Sequence, residues 1–220
     1  MSLVMVIPVL LGFAAPASAI DARPFVFIGA ANECGAGYPA GARIVTAGWL
    51  RGMGLPDNGG SSNPIAGDPR DLENKTNVRD GLFLSKNGPT PVCAASGARI
   101  GNLGAPITVD LTTTFSFDYR TAFHCGAGAP RFNITYDLAP GFSFAGCASA
   151  VKTPSPLDAG WTHAEINLQT AFPPVPVGAQ ISEVSIIFDE GTDAGSGFAV
   201  IDNIQLDGKA VIRMGTGVAD

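Results

Sequence analysis

Hydrophobic positions recur with a period of two over much of this chain, and that period predicts strands. The clearest run is "PITVDLTTTFSFDYR", residues 106 to 120. There Ile107, Val109, Leu111, Phe115, Phe117 and Tyr119 alternate with Thr108, Asp110, Thr112, Thr114, Ser116 and Asp118. Such a strand turns one face to a core and the other to water. "APRFNITYDL", 129 to 138, repeats the pattern with Phe132, Ile134, Tyr136 and Leu138 inward and Arg131, Asn133, Thr135 and Asp137 outward. "APG" then supplies a turn and "FSFAGC" a return strand, which together make a hairpin. "WTHAEINL", "ISEVSIIFDEG" and "FAVIDNIQL" predict three more strands, with Val184, Ile186 and Phe188 on a common side of the middle one. "RPFVFIG", "GLFLSK" and "GARIGNL" are weaker candidates nearer the N-terminus. Helical periodicity of useful length is absent after the first residues, while Gly and Pro recur at strand-to-strand spacing. The pattern predicts an all-β fold, an antiparallel β-sandwich. Residues 55 to 79, "LPDNGGSSNPIAGDPRDLENKTNVR", have little apolar content and many turn formers, and are expected to form a long surface loop.

One position interrupts the logic. In "GFAVIDNIQLDG", 197 to 208, Phe198, Val200, Ile204 and Leu206 share one face of the alternation, and Asp202 falls among them on that face. A buried, unpaired carboxylate costs several kcal/mol, so the position demands a cation, an arginine or a group of backbone N–H donors.

Residues 1 to 19 carry an apolar run from Leu3 to Phe13 and end in Ala17-Ser18-Ala19, the small-x-small pattern of a signal peptide cleavage site. The expectation is a secreted, extracellular protein whose mature part, 20 to 220, forms a single domain. No later stretch reaches transmembrane length, so no membrane insertion is expected. The net charge of −6 argues against nucleic acid and anionic membrane as partners, since both require a positive surface; a sugar or a neutral polymer fits better. Four cysteines in an oxidising compartment read first as two disulfides. Cys125 with Cys147 is favoured because their segments lie on the predicted hairpin, which leaves Cys34 with Cys93. A zinc site is a poor alternative, because the chain contains no C-x-x-C pair.

The series "GLFLSKNGPT", "GARIGNLG", "TTTFSFDYR", "HCGAGAPRFNITY", "FAGC", "GWTHAEINL" and "ISEVSIIFDEGTDAGSGFAVIDNIQLDG" resembles a group of secreted bacterial β-sandwich proteins without assigned activity. More distantly it is similar to the galactose-binding-like jelly rolls that include many carbohydrate-binding modules. The resemblance covers roughly residues 80 to 208 and implies jelly-roll topology. It also implies that Asp202, on the closing strand, ligates a structural Ca²⁺ with oxygens from near the N-terminus of the domain. Calcium takes six to eight oxygens, many of them backbone carbonyls, so one buried aspartate plus loop oxygens could suffice. The alternative is that Asp202 caps backbone N–H groups of a neighbouring loop. Asp189, Glu190 and Asp193 match no EF-hand spacing and read as turn residues.

Catalytic motifs are lacking. There is no G-x-S-x-G elbow, the two histidines, His124 and His163, have no motif around them, and Glu165 and Glu183 occupy outward positions of polar alternation. The protein is therefore not expected to be an enzyme. Sugar binding uses aromatic rings that stack on the C–H face of a pyranose. Trp49 and Tyr38 are the candidate ligand contacts, while Trp161, after a Gly at a strand start, reads as a core plug. The polar faces of the strongest strands carry no aromatic residue, which disfavours a flat platform. Sequons at Asn74 and Asn133 are expected to be silent in a bacterial setting. These residues point to a secreted, non-catalytic binding module for carbohydrate or cell-surface glycan. The competing class is a structural or interaction domain of the cell envelope with no small ligand.

Overall fold

The alternating runs become fifteen strands among the residues that the computed structural model describes, which are 19–27, 44–55, 80–88, 93–126, 128–190, 197–213 and 217–219. The expected signal peptide as far as residue 18, Cys34, Tyr38, Asn74, Asp193 and the expected loop from 56 to 79 fall outside them. In chain order the strands are β1 (Asp21–Phe27), β2 (Val45–Arg51), β3 (Asp80–Lys86), β4 (Ala95–Gly101), β5 (Ile107–Thr108), β6 (Thr114–Arg120), β7 (Arg131–Tyr136) and β8 (Phe142–Gly146). They continue with β9 (Val151–Pro154), β10 (Trp161–Asn167), β11 (Gln180–Phe188), β12 (Gly197–Leu206), β13 (Lys209–Ala210), β14 (Ile212–Arg213) and β15 (Gly217–Ala219).

They form two sheets. One has the order β14-β1-β4-β11-β7-β8 with β5 beside β11; the other runs β15-β2-β3-β12-β6-β10-β9 with β13 beside β12. Every pairing is antiparallel except β1 with β14. The inward positions of both sheets meet in one core cluster, where Phe115 and Phe117 of β6 pack on Phe132 of β7 with ring centroids 5.3 and 5.7 Å apart. The chain is thus all-β, and its two sheets pack as a sandwich.

The run from 106 to 120 is not one strand. Asp110 Oδ1 accepts from Thr112 N at 2.7 Å and from the hydroxyls of Thr112 and Thr113, while Asp110 N donates to Thr113 Oγ1 at 2.9 Å. This side-chain turn competes with the sheet ladder and ends β5, which pairs with β11, before β6 enters the opposite sheet. Leu111, expected in the core, is left 70% exposed at the turn. Leu138, past the end of β7, is likewise exposed.

Cys125 and Cys147 are disulfide-bonded across the base of the β7–β8 hairpin, with Cα atoms 5.3 Å apart. Cys93 is disulfide-bonded as well, and its expected partner Cys34 lies outside the described residues.

Trp49 corrects an expectation. It points inward from β2, 8% exposed, and its Nε1 donates to the Ala22 carbonyl of β1 at 3.0 Å. A ring buried between the sheets cannot offer a face to a sugar, and its N–H instead ties one sheet to the other. Trp49→Phe removes that hydrogen bond while keeping most of the apolar area. It should lower unfolding stability by about 1 kcal/mol in denaturant titrations without changing sugar binding.

Candidate functional site

Asp202 lies at a β-bulge. It stands opposite Asp118 of β6, and pairing resumes with Gln205 opposite Ser116, so Asn203 and Ile204 together face only Phe117. Asn203 takes φ of 48°, a left-handed conformation that Asn tolerates better than most residues. The extra residue reverses the phase of the strand. Ala199 and Ile201 before it, and Ile204 and Leu206 after it, all belong to the main core. Val200 and Asp202 face the other way. The single apolar stripe expected from the sequence is therefore two half-stripes on opposite faces, and Asp202 does not point into the main core.

The face it does occupy is covered. Leu55, Trp161 and Val200 are buried there in a second cluster, with Met53, Phe83, Phe123 and Leu157 packed around them. A Cβ on Gly81 would meet the Met53 carbonyl at 2.5 Å, so the turn after β2 rests directly on β3, and Gly81 makes room for it. Two carboxylates anchor this cover. Asp202 Oδ2 accepts from Leu55 N at 2.8 Å and its Oδ1 from Asn203 N at 2.7 Å. Asp118, fully buried, accepts from Ser155 Oγ at 2.8 Å, from Asn203 Nδ2 at 3.3 Å and from His163 Nδ1 at 2.5 Å. The outer face of β6, expected to be wet, is at Asp118 wholly dry.

What could this cluster do chemically? A buried aspartate fixes the tautomer and orientation of His163, as in a catalytic dyad. The Ser155 hydroxyl, however, donates to Asp118 and not to the imidazole, so no nucleophile is activated. At Asp202 the described partners are backbone amides. Both of its oxygens face N–H donors, the complement of an anion, and no group of three or more metal-ligating side chains occurs among the described residues. Through these two bonds Asp202 caps the turn after β2 and the bulge of its own strand.

A second charged group lies where β7 and β11 end. Arg131 binds Asp189 through both Nη atoms at 2.7 Å, the Gly128 carbonyl at 2.7 Å and Asn133 Oδ1 at 3.0 Å. Lys86, fully buried, donates to the Asp189 carbonyl at 2.6 Å; burial lowers its pKa, and the nearby Asp189 charge opposes that shift. His124 bonds Glu190. These groups satisfy one another and hold the Arg131 guanidinium 5.3 Å from the Phe144 ring centroid.

The outer face of the other sheet is open among the described residues. A groove of about 750 Å³ lies across it, and Phe25, Arg99, Asn133, Thr135, Glu183 and Ser185 are among its lining residues. The register places a row of side chains straight across four strands: Arg99 of β4 opposite Ser185 of β11, Ser185 opposite Asn133 of β7, and Asn133 opposite Phe144 of β8. Phe142, opposite Thr135, extends the aromatic edge. Phe142 and Phe144 are 50% and 37% exposed, with ring centroids 5.7 Å apart. At the far side Phe25 reaches over Gly97, where a Cβ would stand 3.0 Å from its ring.

No protein-family model matches the chain, and no curated protein matches it. Of the expected contacts, Trp49 is in the core and not at the groove, and Tyr38 lies outside the described residues. Trp161 is buried, as its place at a strand start suggested, and its Nε1 has no hydrogen-bond partner. Sequence reasoning missed Phe142 and Phe144. The signal was present, because pairing the return strand tightly on 131–136 sets its alternate phenylalanines beside Asn133 and Thr135 on the polar face.

Two predictions follow from the covered face. Asp202→Asn replaces one acceptor oxygen by an NH₂ and should cost about 1–3 kcal/mol, equally with calcium and with chelator, in parallel melting curves. A loss confined to the calcium arm would show that Asp202 binds the metal.

The hydrogen bond to Asp118 raises the His163 pKa above 6.5, against the cost of burial and with help from the charges of Asp118 and Glu165. The folded state thus favours the imidazolium. Its contribution is complete below that unfolded value and is lost as pH rises through the folded one. Wild type should lose stability relative to His163→Gln as pH rises through this window; parallel pH profiles of the two melting temperatures would contradict the linkage.

Proposed function

We propose that the protein is a secreted, non-catalytic carbohydrate-binding module of galactose-binding-like jelly-roll topology, and that it holds an oligosaccharide in the groove over the β4, β11 and β7 strands and against the neighbouring rings of β8. The observation that carries this reading is the row Arg99, Ser185, Asn133, Phe144, an open line of polar side chains ending at exposed aromatic rings. Rings stack on the apolar face of a pyranose while neighbouring hydroxyl and amide groups take its hydroxyls. Asn133 Oδ1 is engaged by Arg131, which turns the amide so that its Nδ2 donors are free for a ligand. The topology is supported by the way the chain changes sheets, from β1 to β2, from β3 to β4 and from β11 to β12. The resemblance noted in the sequence supports both export and sugar binding.

Phe142 and Phe144 are only about half buried, so replacing both by alanine should lower the melting temperature but leave the protein folded. On a glycan array and in titration calorimetry the double variant should lose at least about tenfold in affinity, about 1.4 kcal/mol. If wild type binds no glycan, the chain is better read as a structural or interaction domain of the envelope.

A further inference from the structure

The donors along the groove are unevenly matched, and the mismatch specifies the ligand further. Among the described residues three arginines project on this face, and two of them are neutralised within the protein. Arg131 is held by both oxygens of Asp189, and Arg23 donates to Asp21 Oδ1 at 3.0 Å. Arg99 stands directly opposite Arg23, lines the groove and is exposed, yet it makes no hydrogen bond or ion pair with the described residues. Like charges directly opposite on adjacent strands repel, so the pair Arg23 and Arg99 lacks an anion beside Arg99. Its neighbours along the row add donors: the Ser185 hydroxyl and the Asn133 Nδ2 group. A guanidinium fork flanked by neutral donors matches a carboxylate or a sulfate bidentately. Glu183, the one acidic side chain among the described residues that line the groove, is two residues from Ser185 on β11 and so diagonal to Arg99, with which it makes no ion pair.

Resting on the glycan reading above, we infer that the groove selects an anionic oligosaccharide, with Arg99 taking a carboxylate or sulfate group of one sugar while another sugar stacks on Phe144. Arg99 and Phe144 are separated by three strand spacings, about 14 Å, more than one sugar ring spans. The ligand is therefore an oligomer lying across the strands and not a monosaccharide. That a chain of net charge −6 keeps an unpaired cation at this place makes the selection local and not a consequence of overall attraction.

The test titrates the whole protein with three oligosaccharides of equal length: an oligogalacturonate, a sulfated oligomer and a neutral oligomer. Wild type should bind an anionic oligomer at least tenfold more tightly than the neutral one, and that preference should shrink as salt is raised. Tighter binding of the uronate assigns a carboxylate to Arg99, and tighter binding of the sulfated oligomer assigns a sulfate. Arg99→Gln should abolish the preference, lowering affinity for the anionic oligomer at least tenfold more than affinity for the neutral one, with the melting temperature unchanged, and Arg99→Lys should restore part of the preference. Equal binding of neutral and anionic oligomers, or a preference untouched in Arg99→Gln, would overturn the inference and leave the glycan reading standing. Binding of none of the three would overturn both.

Discussion

The bulge at Asp202 and Asn203, and the two buried carboxylates it sets side by side, are the constraint on which the rest of this structure depends. A strand of strict alternation could serve one core only. By inserting one residue, β12 gives Ala199, Ile201, Ile204 and Leu206 to the main core and Val200 and Asp202 to the opposite face. Asn203 is suited to the task, because it accepts the positive φ and its side chain donates to Asp118 while accepting from Gln205 Nε2 at 3.1 Å. The cost of burying Asp118 and Asp202 is offset because each of the four carboxylate oxygens meets at least one donor, with three donors at Asp118 and two backbone amides at Asp202.

The two faces of the sandwich thereby acquire different characters. On the eight-stranded sheet, loops are pinned by carboxylates and pressed over a small apolar cluster, so that face is spent on stability. On the seven-stranded sheet, no comparable cover among the described residues lies over Arg99, Ser185 and Asn133, which line a groove. The network at Asp189 contributes to both. It secures the end of β11 to Lys86 and fixes Arg131, which in turn orients Asn133 and lies over one face of the Phe144 ring. A preorganised polar row loses less entropy on binding than a mobile one.

Much of this was legible in the sequence. Period-two alternation marked β6, β7, β10, β11 and β12, and the hairpin argument paired Cys125 with Cys147. Three things were hidden, each for a physical reason. The phase reversal at Asn203 depends on one residue adopting a left-handed conformation, which alternation counting cannot see, although Asp-Asn inside a strand is a turn-type signal. The break at Asp110 arose from side-chain hydrogen bonds that outcompete a ladder in a threonine-rich stretch. The burial of Asp118 required knowing which loops, distant in sequence, fold over its face. Trp49 was misassigned for a related reason: a tryptophan outside the clear stripes can still be inward on a weak strand, and its N–H found a carbonyl on the other sheet.

In the proposed function, the face over Asp118 and Asp202 is closed and the opposite sheet face binds the ligand. Amide chemical-shift mapping of the isotope-labelled protein during titration with a binding oligosaccharide tests it most directly. The expected result is perturbation concentrated on the β4, β11, β7 and β8 amides around Arg99, Ser185, Asn133 and Phe144, with residues 52–55 and 155–160 unmoved. Perturbation centred on those two covering segments, with the four-strand row silent, would contradict it.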